Sequence, residues 1–210
     1  MTATSGKIVK GHRLVENPSR RRVLAAGTLG AASALSGRRA SASAPPTSPP
    51  ARPTDADVEL LRFAEQLELT ARDLYQLAID EGAAGDRDLV LQTCRENHQA
   101  AADSLSALLG TDAIGERDDA LFEEMSGGFT TSDLPAVAEA GYALESAAVA
   151  THASLIGQLE GTDGARTIAA ILMIESRMCT VLADLQGLGD DDAALFDNGA
   201  VALQPTTVEG

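Results

Sequence analysis

Glu68, Arg95, His98, Glu145 and Glu175 fall on helical stripes that otherwise carry mainly Leu, Ala and Ile. A lone carboxylate taken out of water costs several kcal/mol unless it is paired. Carboxylates that recur at mid-height on separate helices are therefore expected to share a partner. That partner is either a metal ion or a cation of the protein itself. Arg95 and His98 stand three apart in "CRENHQ", residues 94–99, a spacing that sets two side chains one turn apart on one helix face.

Four amphipathic segments must position these residues. The first follows Pro53 and Thr54, with Asp57 three residues after Thr54 as a variant capping box. Its seam is Leu60, Ala64, Leu67, Ala71, Leu74 and Ala78, and Gly82 ends it. The second begins near Asp86, carries Leu91, Cys94, His98, Ala101, Leu105 and Leu108 on one face, and ends at Gly110. The third starts after Thr131 and Ser132, with Pro135 in its first turn. The fourth follows Gly161, Thr162 and Asp163 and ends at Gly187. The first and last connections are short, which predicts antiparallel neighbours, whereas the middle one, roughly residues 110–132, is long. It contains "EEMSGGFTTSD", read as a flexible connection. A short-long-short loop pattern predicts an all-α, ferritin-like up-down-down-up four-helix bundle with one long crossover.

The stretches "LRFAEQLELTARDLYQLAI", "QTCRENHQAAADSLSALLG", "YALESAAVATHASLIGQL" and "AAILMIESRMCTVLADLQG" resemble a family of exported bacterial ferritin-like domain proteins, over about residues 55–187. Such carboxylate bundles place a Glu on helices 1 and 3 and a Glu-x-x-His on helices 2 and 4. The resemblance implies that Glu68, Glu145 and Glu175 match three of the Glu positions and that His98 matches the helix-2 His. Arg95 stands where the helix-2 Glu belongs, and Met178 where the helix-4 His belongs. Arginine cannot ligate a hard metal, and methionine is a poor ligand for iron or manganese. A degenerate di-metal site is the expectation, with Arg95 as an internal cation bridging Glu68 and Glu175 in a structural polar core. It implies no cofactor and a non-enzymatic structural or binding role. The alternative is a metal site on Glu68, His98, Glu145 and Glu175 that holds iron or manganese, for storage or for reducing oxidants. His152, two turns beyond Glu145, is read as a core or boundary histidine bonded to a nearby carboxylate, and Tyr75 and Tyr142 as packing residues with bonded hydroxyls.

Cys94 and Cys179 lie on the second and fourth segments, which the crossover topology makes antiparallel neighbours. Two expectations stand for them: a disulfide between the helices, if the Cα atoms come close enough, or two buried thiols filling core space. No C-x-x-C is present.

The bulk composition sets the surroundings. Residues 1–44 hold eight Lys and Arg and one acid, whereas residues 45–210 hold 8 Arg and 30 acidic residues, a net of −22. So acidic a surface excludes nucleic acid as a partner. There is no apolar run long enough to span a bilayer. "SRRRVL" at residues 19–24, a weakly apolar stretch to Leu35 and two A-x-A options ending at Ala42 and Ala44 resemble a twin-arginine signal peptide. The expected organisation is a signal peptide at 1–44, a Pro-rich linker at 45–53, the bundle at 54–187 and an acidic flexible tail at 188–210, of which Ala194, Leu195 and Phe196 are expected to tuck back on the bundle. Export across the cytoplasmic membrane, with the Tat machinery and an unidentified envelope protein as partners, follows from that reading. No nucleotide-binding or nucleophile-elbow motif occurs.

Overall fold

The computed structural model describes residues 50–83 and 85–205. The expected signal peptide and residues 45–49 of the linker lie outside the described residues. Among the described residues six α-helices form: α1 (Asp55–Asp80), α2 (Asp88–Leu109), α3 (Asp119–Ser126), α4 (Leu134–Ile156), α5 (Thr162–Leu185) and α6 (Asp192–Phe196). The four long ones are the four predicted segments, and the described residues contain no strand. Among the described residues no helix is long and apolar enough to cross a membrane.

Two apolar clusters fix the direction of each helix. One joins Leu74 and Ala78 of α1, Leu91 and Cys94 of α2, Val137 and Leu144 of α4, and Met178 and Leu182 of α5. The other joins Leu61 and Ala64, Ala101 and Leu105, Leu155, and Ile168 and Ile171. The N-terminal half of α1 thus shares one end of the bundle with the C-terminal halves of α2 and α4 and the N-terminal half of α5. That is the up-down-down-up order. Helices α1 and α2 form one tightly packed hairpin and α4 and α5 the other.

Both ends of the first helix are tied by local chemistry. The Thr54 N–H donates to Asp57 Oδ2 at 2.9 Å, and Gly82 ends the helix at φ 72, a conformation that favours glycine. The last linker residues bend at Ala51 and Arg52, and the carbonyls of Pro50 and Ala51 cap α5. The Thr162 N–H donates to Pro50 O (3.0 Å) and the Asp163 N–H to Ala51 O (2.8 Å).

Two segments are more ordered than expected. The crossover contains α3, N-capped by Asp118, whose side chain accepts from the Leu121 N–H, and it buries Phe129 completely. The aromatic ring supplies the anchor that a Gly-rich reading of this stretch overlooked. The tail returns to the bundle at Ala194, as expected, and stays bonded to α4 beyond it, up to Leu203. Tyr142 Oη donates to Ala194 O (2.7 Å), Asn198 Nδ2 to Ser146 O (2.9 Å) and the Leu203 N–H to Thr151 Oγ1 (2.8 Å). Residues 194–203 therefore run alongside α4 in the same direction, and Leu203 packs against the second apolar cluster.

Candidate metal centre

Between the two apolar clusters lies a polar belt. Glu68 comes from α1, His98 from α2, Glu145 and His152 from α4, and Glu175 from α5, and each is at most 1% exposed. Every one occupies a seam position of its helix, so helical periodicity alone turns it inward.

The belt has two unlike parts. In the first, His98 lies between two carboxylates, with Nδ1 2.8 Å from Glu68 Oε2 and Nε2 3.0 Å from Glu145 Oε1. A ring that meets a carboxylate oxygen at each nitrogen can donate to both only as the imidazolium, the form that these two contacts favour. Burial opposes that charge, but Glu145 and Glu68 outweigh it and raise the pKa well above the ordinary histidine range. Tyr75 Oη donates to the same Glu145 oxygen at 2.6 Å. Burial, then the Glu145 charge, hold the phenol protonated. The Tyr75 ring stacks on His98 with centroids 5.6 Å apart and meets Phe129 of the crossover edge-on. Gly141 makes this possible, since a Cβ there would come within 2.9 Å of the Tyr75 hydroxyl.

The second part is less complete. His152 Nδ1 is 2.8 Å from Glu175 Oε2. His152 Nε2 lies 3.3 Å from Glu68 Oε1, yet both atoms lack a hydrogen-bond partner, as does Glu175 Oε1. Donor atoms of Glu68, His152 and Glu175 lie within 4.8 Å of one another. Burial, reinforced by the Glu68 charge, pushes Glu175 up to about 7 against the pull of His152. A small cavity of ≈ 10 Å³, room for about one water-sized particle, touches Glu68, His98 and Glu175. A fourth atom of the belt, Glu145 Oε2, is likewise buried without a partner.

The structure thus brings together Glu68, His98, Glu145 and Glu175, and adds His152, a core histidine bonded to a carboxylate as expected, which also reaches Glu68. Its signal was the seven-residue step from Glu145, close to two full turns. Tyr75 stands at the same step from Glu68. Arg95 requires correction. Its side chain is 34% exposed and its ion pair is with Glu96 at 3.9 Å, so it contacts neither Glu68 nor Glu175. Cys94 holds the inward seam position next to it, and a guanidinium at the helix boundary keeps its water. Met178 is buried and accepts from Asn97 Nδ2 at 3.5 Å. Of the two expectations for the cysteines, the structure has the free thiols and not the disulfide, with Cys94 buried and Cys179 half-buried. Cys179 Sγ faces Ser146 Oγ at 3.8 Å, and burial followed by the Glu145 charge pushes both thiols up to about 12.

The donor set of buried, partly unpartnered carboxylate and imidazole atoms fits a divalent transition-metal ion. No curated protein and no solved structure matches this chain. The family described as "Ferritin-like domain" matches residues 56–188, more than half of the sequence and the whole of the four-helix bundle. The chain belongs to the ferritin-like domain family.

Proposed function

We propose that this protein is an exported ferritin-like bundle that holds one divalent transition-metal ion, iron or manganese, between Glu68, His152 and Glu175. The observation that carries this reading is that ligand atoms of Glu68, His152 and Glu175 lie within 4.8 Å of one another, while each residue keeps a buried atom, Glu68 Oε1, His152 Nε2 and Glu175 Oε1, without a hydrogen-bond partner. Unpaired buried polar atoms are rare in native proteins and call for a ligand. Where the family pattern provides for two ions, this chain's own imidazolium at His98 fills the other half. Both of its nitrogens are engaged by carboxylates, which leaves it no lone pair to offer a metal. Three carboxylates, one imidazolium and one divalent ion sum to neutrality, as a buried site requires.

A bound iron or manganese ion would supply one-electron redox chemistry. The protein's own residues orient and seal. His98 fixes Glu68 through Oε2, Tyr75 and His98 fix Glu145, and Glu175 holds the His152 ring through Nδ1. Such outer bonds set ring tautomer and ligand orientation. The export part of the reading rests on "SRRRVL", which fits transport of a domain already folded around its ion.

A metal-free polar core without enzymatic activity is the second reading, favoured by the close contacts from both histidines to the carboxylates. Elemental analysis of protein purified without chelator, followed by titration with Mn(II) and Fe(II), separates the two. Near one ion per chain is expected, with a loss of affinity of at least about tenfold in His152→Ala. Protein that arrives empty and takes up no ion would establish the metal-free core. For export, replacing Arg20 and Arg21 together by lysine is expected to leave the precursor inside the cell.

A further inference from the structure

The contacts between α2 and α5 are far sparser than those within each hairpin, and a groove of ≈ 710 Å³ opens between the two helices. That volume lies in the range of small-molecule sites. Leu89, Val90, Ile174 and Val181 line it. Leu89 is 75%, Val181 47% and Ile174 38% exposed. Apolar side chains gathered this way on so acidic a protein mark a binding surface rather than scattered exposure.

One cation also lines the groove. Arg177 is exposed and has no ion-pair partner among the described residues. Arg62, Arg72, Arg95, Arg117 and Arg166 all have acidic partners, and Arg52 and Arg87, which also lack one among the described residues, do not line the groove. On a domain with 30 acids against 8 arginines, an arginine left unpaired beside an apolar groove is complementary to an anion. Leu89 and Asn97 both line the groove, so along α2 it extends over about 12 Å. Asn97, Ile174 and Met178 line both the groove and the small cavity at Glu68, His98 and Glu175. The inner end of the groove therefore abuts the polar belt.

We propose that this groove binds an amphipathic organic monoanion, its aliphatic part along Leu89, Val90 and Val181 and its anionic group on Arg177. A second copy of the chain fits less well, because a net charge of −22 on residues 45–210 opposes self-association. The same charge opposes an anionic membrane. The proposal does not depend on the metal reading, and its test uses no metal readout.

The full chain is titrated with the fluorescent anion 8-anilinonaphthalene-1-sulfonate, then with decanoate or decyltrimethylammonium as competitor. Saturation at one probe per chain is expected, with displacement by decanoate and little displacement by the cation. The overall acidity favours the cation, so preference for the anion isolates Arg177. Arg177→Gln should weaken binding at least fivefold and Arg177→Glu further, while Val181→Asp abolishes it, all with unchanged far-UV circular dichroism. No saturable binding, equal displacement by both competitors, or unchanged affinity in Arg177→Gln would overturn the proposal. So would a dimer in sedimentation that Val181→Asp dissociates, since a second copy would then cover the groove.

Discussion

Two kinds of buried carboxylate occupy this bundle, and they differ in what completes them. Asp57 is fully buried at one end and accepts backbone N–H groups from Thr54, Glu160 and Gly161 at 2.7–2.9 Å. Glu65, also fully buried, accepts from the Ile114 N–H at 2.8 Å and from Ser106 Oγ. Both staple loops to α1. Glu68, Glu145 and Glu175 are buried as deeply, yet each retains an oxygen without a partner. Burial alone does not mark a site; unfinished bonding does.

His98→Ala should have the largest effect, about 3–5 kcal/mol of lost stability in denaturant titration, because it strands two buried carboxylates. A loss under about 1 kcal/mol would show that the belt is not held by this imidazolium. Asp57→Asn should follow at about 2–3 kcal/mol, from weakened charge-assisted bonds to three backbone donors. Its pH dependence has a definite sign. Burial acts to raise the Asp57 pKa, but the backbone donors of Thr54, Glu160 and Gly161 prevail and hold it below the ordinary 3.8. The stabilisation is complete above the unfolded-state value and is lost as pH falls through the folded one. The gap between wild type and Asp57→Asn should therefore close in acid, and a gap that stays constant down to pH 2 would contradict the staple.

Glu175→Gln sharpens the contrast. It should leave the stability of metal-free protein within about 1 kcal/mol, or raise it, because a poorly completed charge is removed. The same change should cost at least about tenfold in Mn(II) affinity. If it destabilises the metal-free fold as much as Asp57→Asn does, the two classes of carboxylate are one. Arg95→Gln should have the smallest effect, within about 0.5 kcal/mol by thermal melting, as for other half-exposed arginines with distant partners. A large loss would return Arg95 to the core.

Some of the centre was legible in the residues. Glu68, His98, Glu145 and Glu175 interrupt apolar seams, and a period of 3.6 leaves them nowhere to point but inward. Arg95 shows where periodicity stops. From Leu91 the next inward position is three or four residues on, so Cys94 and Arg95 compete for it, and α2 settles the matter by a small rotation. His152 shows a second limit. It lies about 10 Å along α4 from Glu145, so its partners depend on how α4 is staggered against α1 and α5. The crossover and tail were underestimated because a single anchor such as Phe129 or Leu203 orders a segment whose composition otherwise reads as loop.

Residue order was enough for the four long helices, their antiparallel pairing through short loops, the acidic surface and the inward carboxylates. Each follows from local spacing or from loop length, quantities written along one chain. It takes the packed bundle to show that His98 rather than Arg95 bridges two of the carboxylates, that His152 completes the set with Glu68 and Glu175, that both thiols are free, and that α2 and α5 leave a groove between them. Those outcomes depend on the rotation and axial stagger of helices relative to one another. Ångström-scale shifts in packing fix that stagger, and no single helix encodes it.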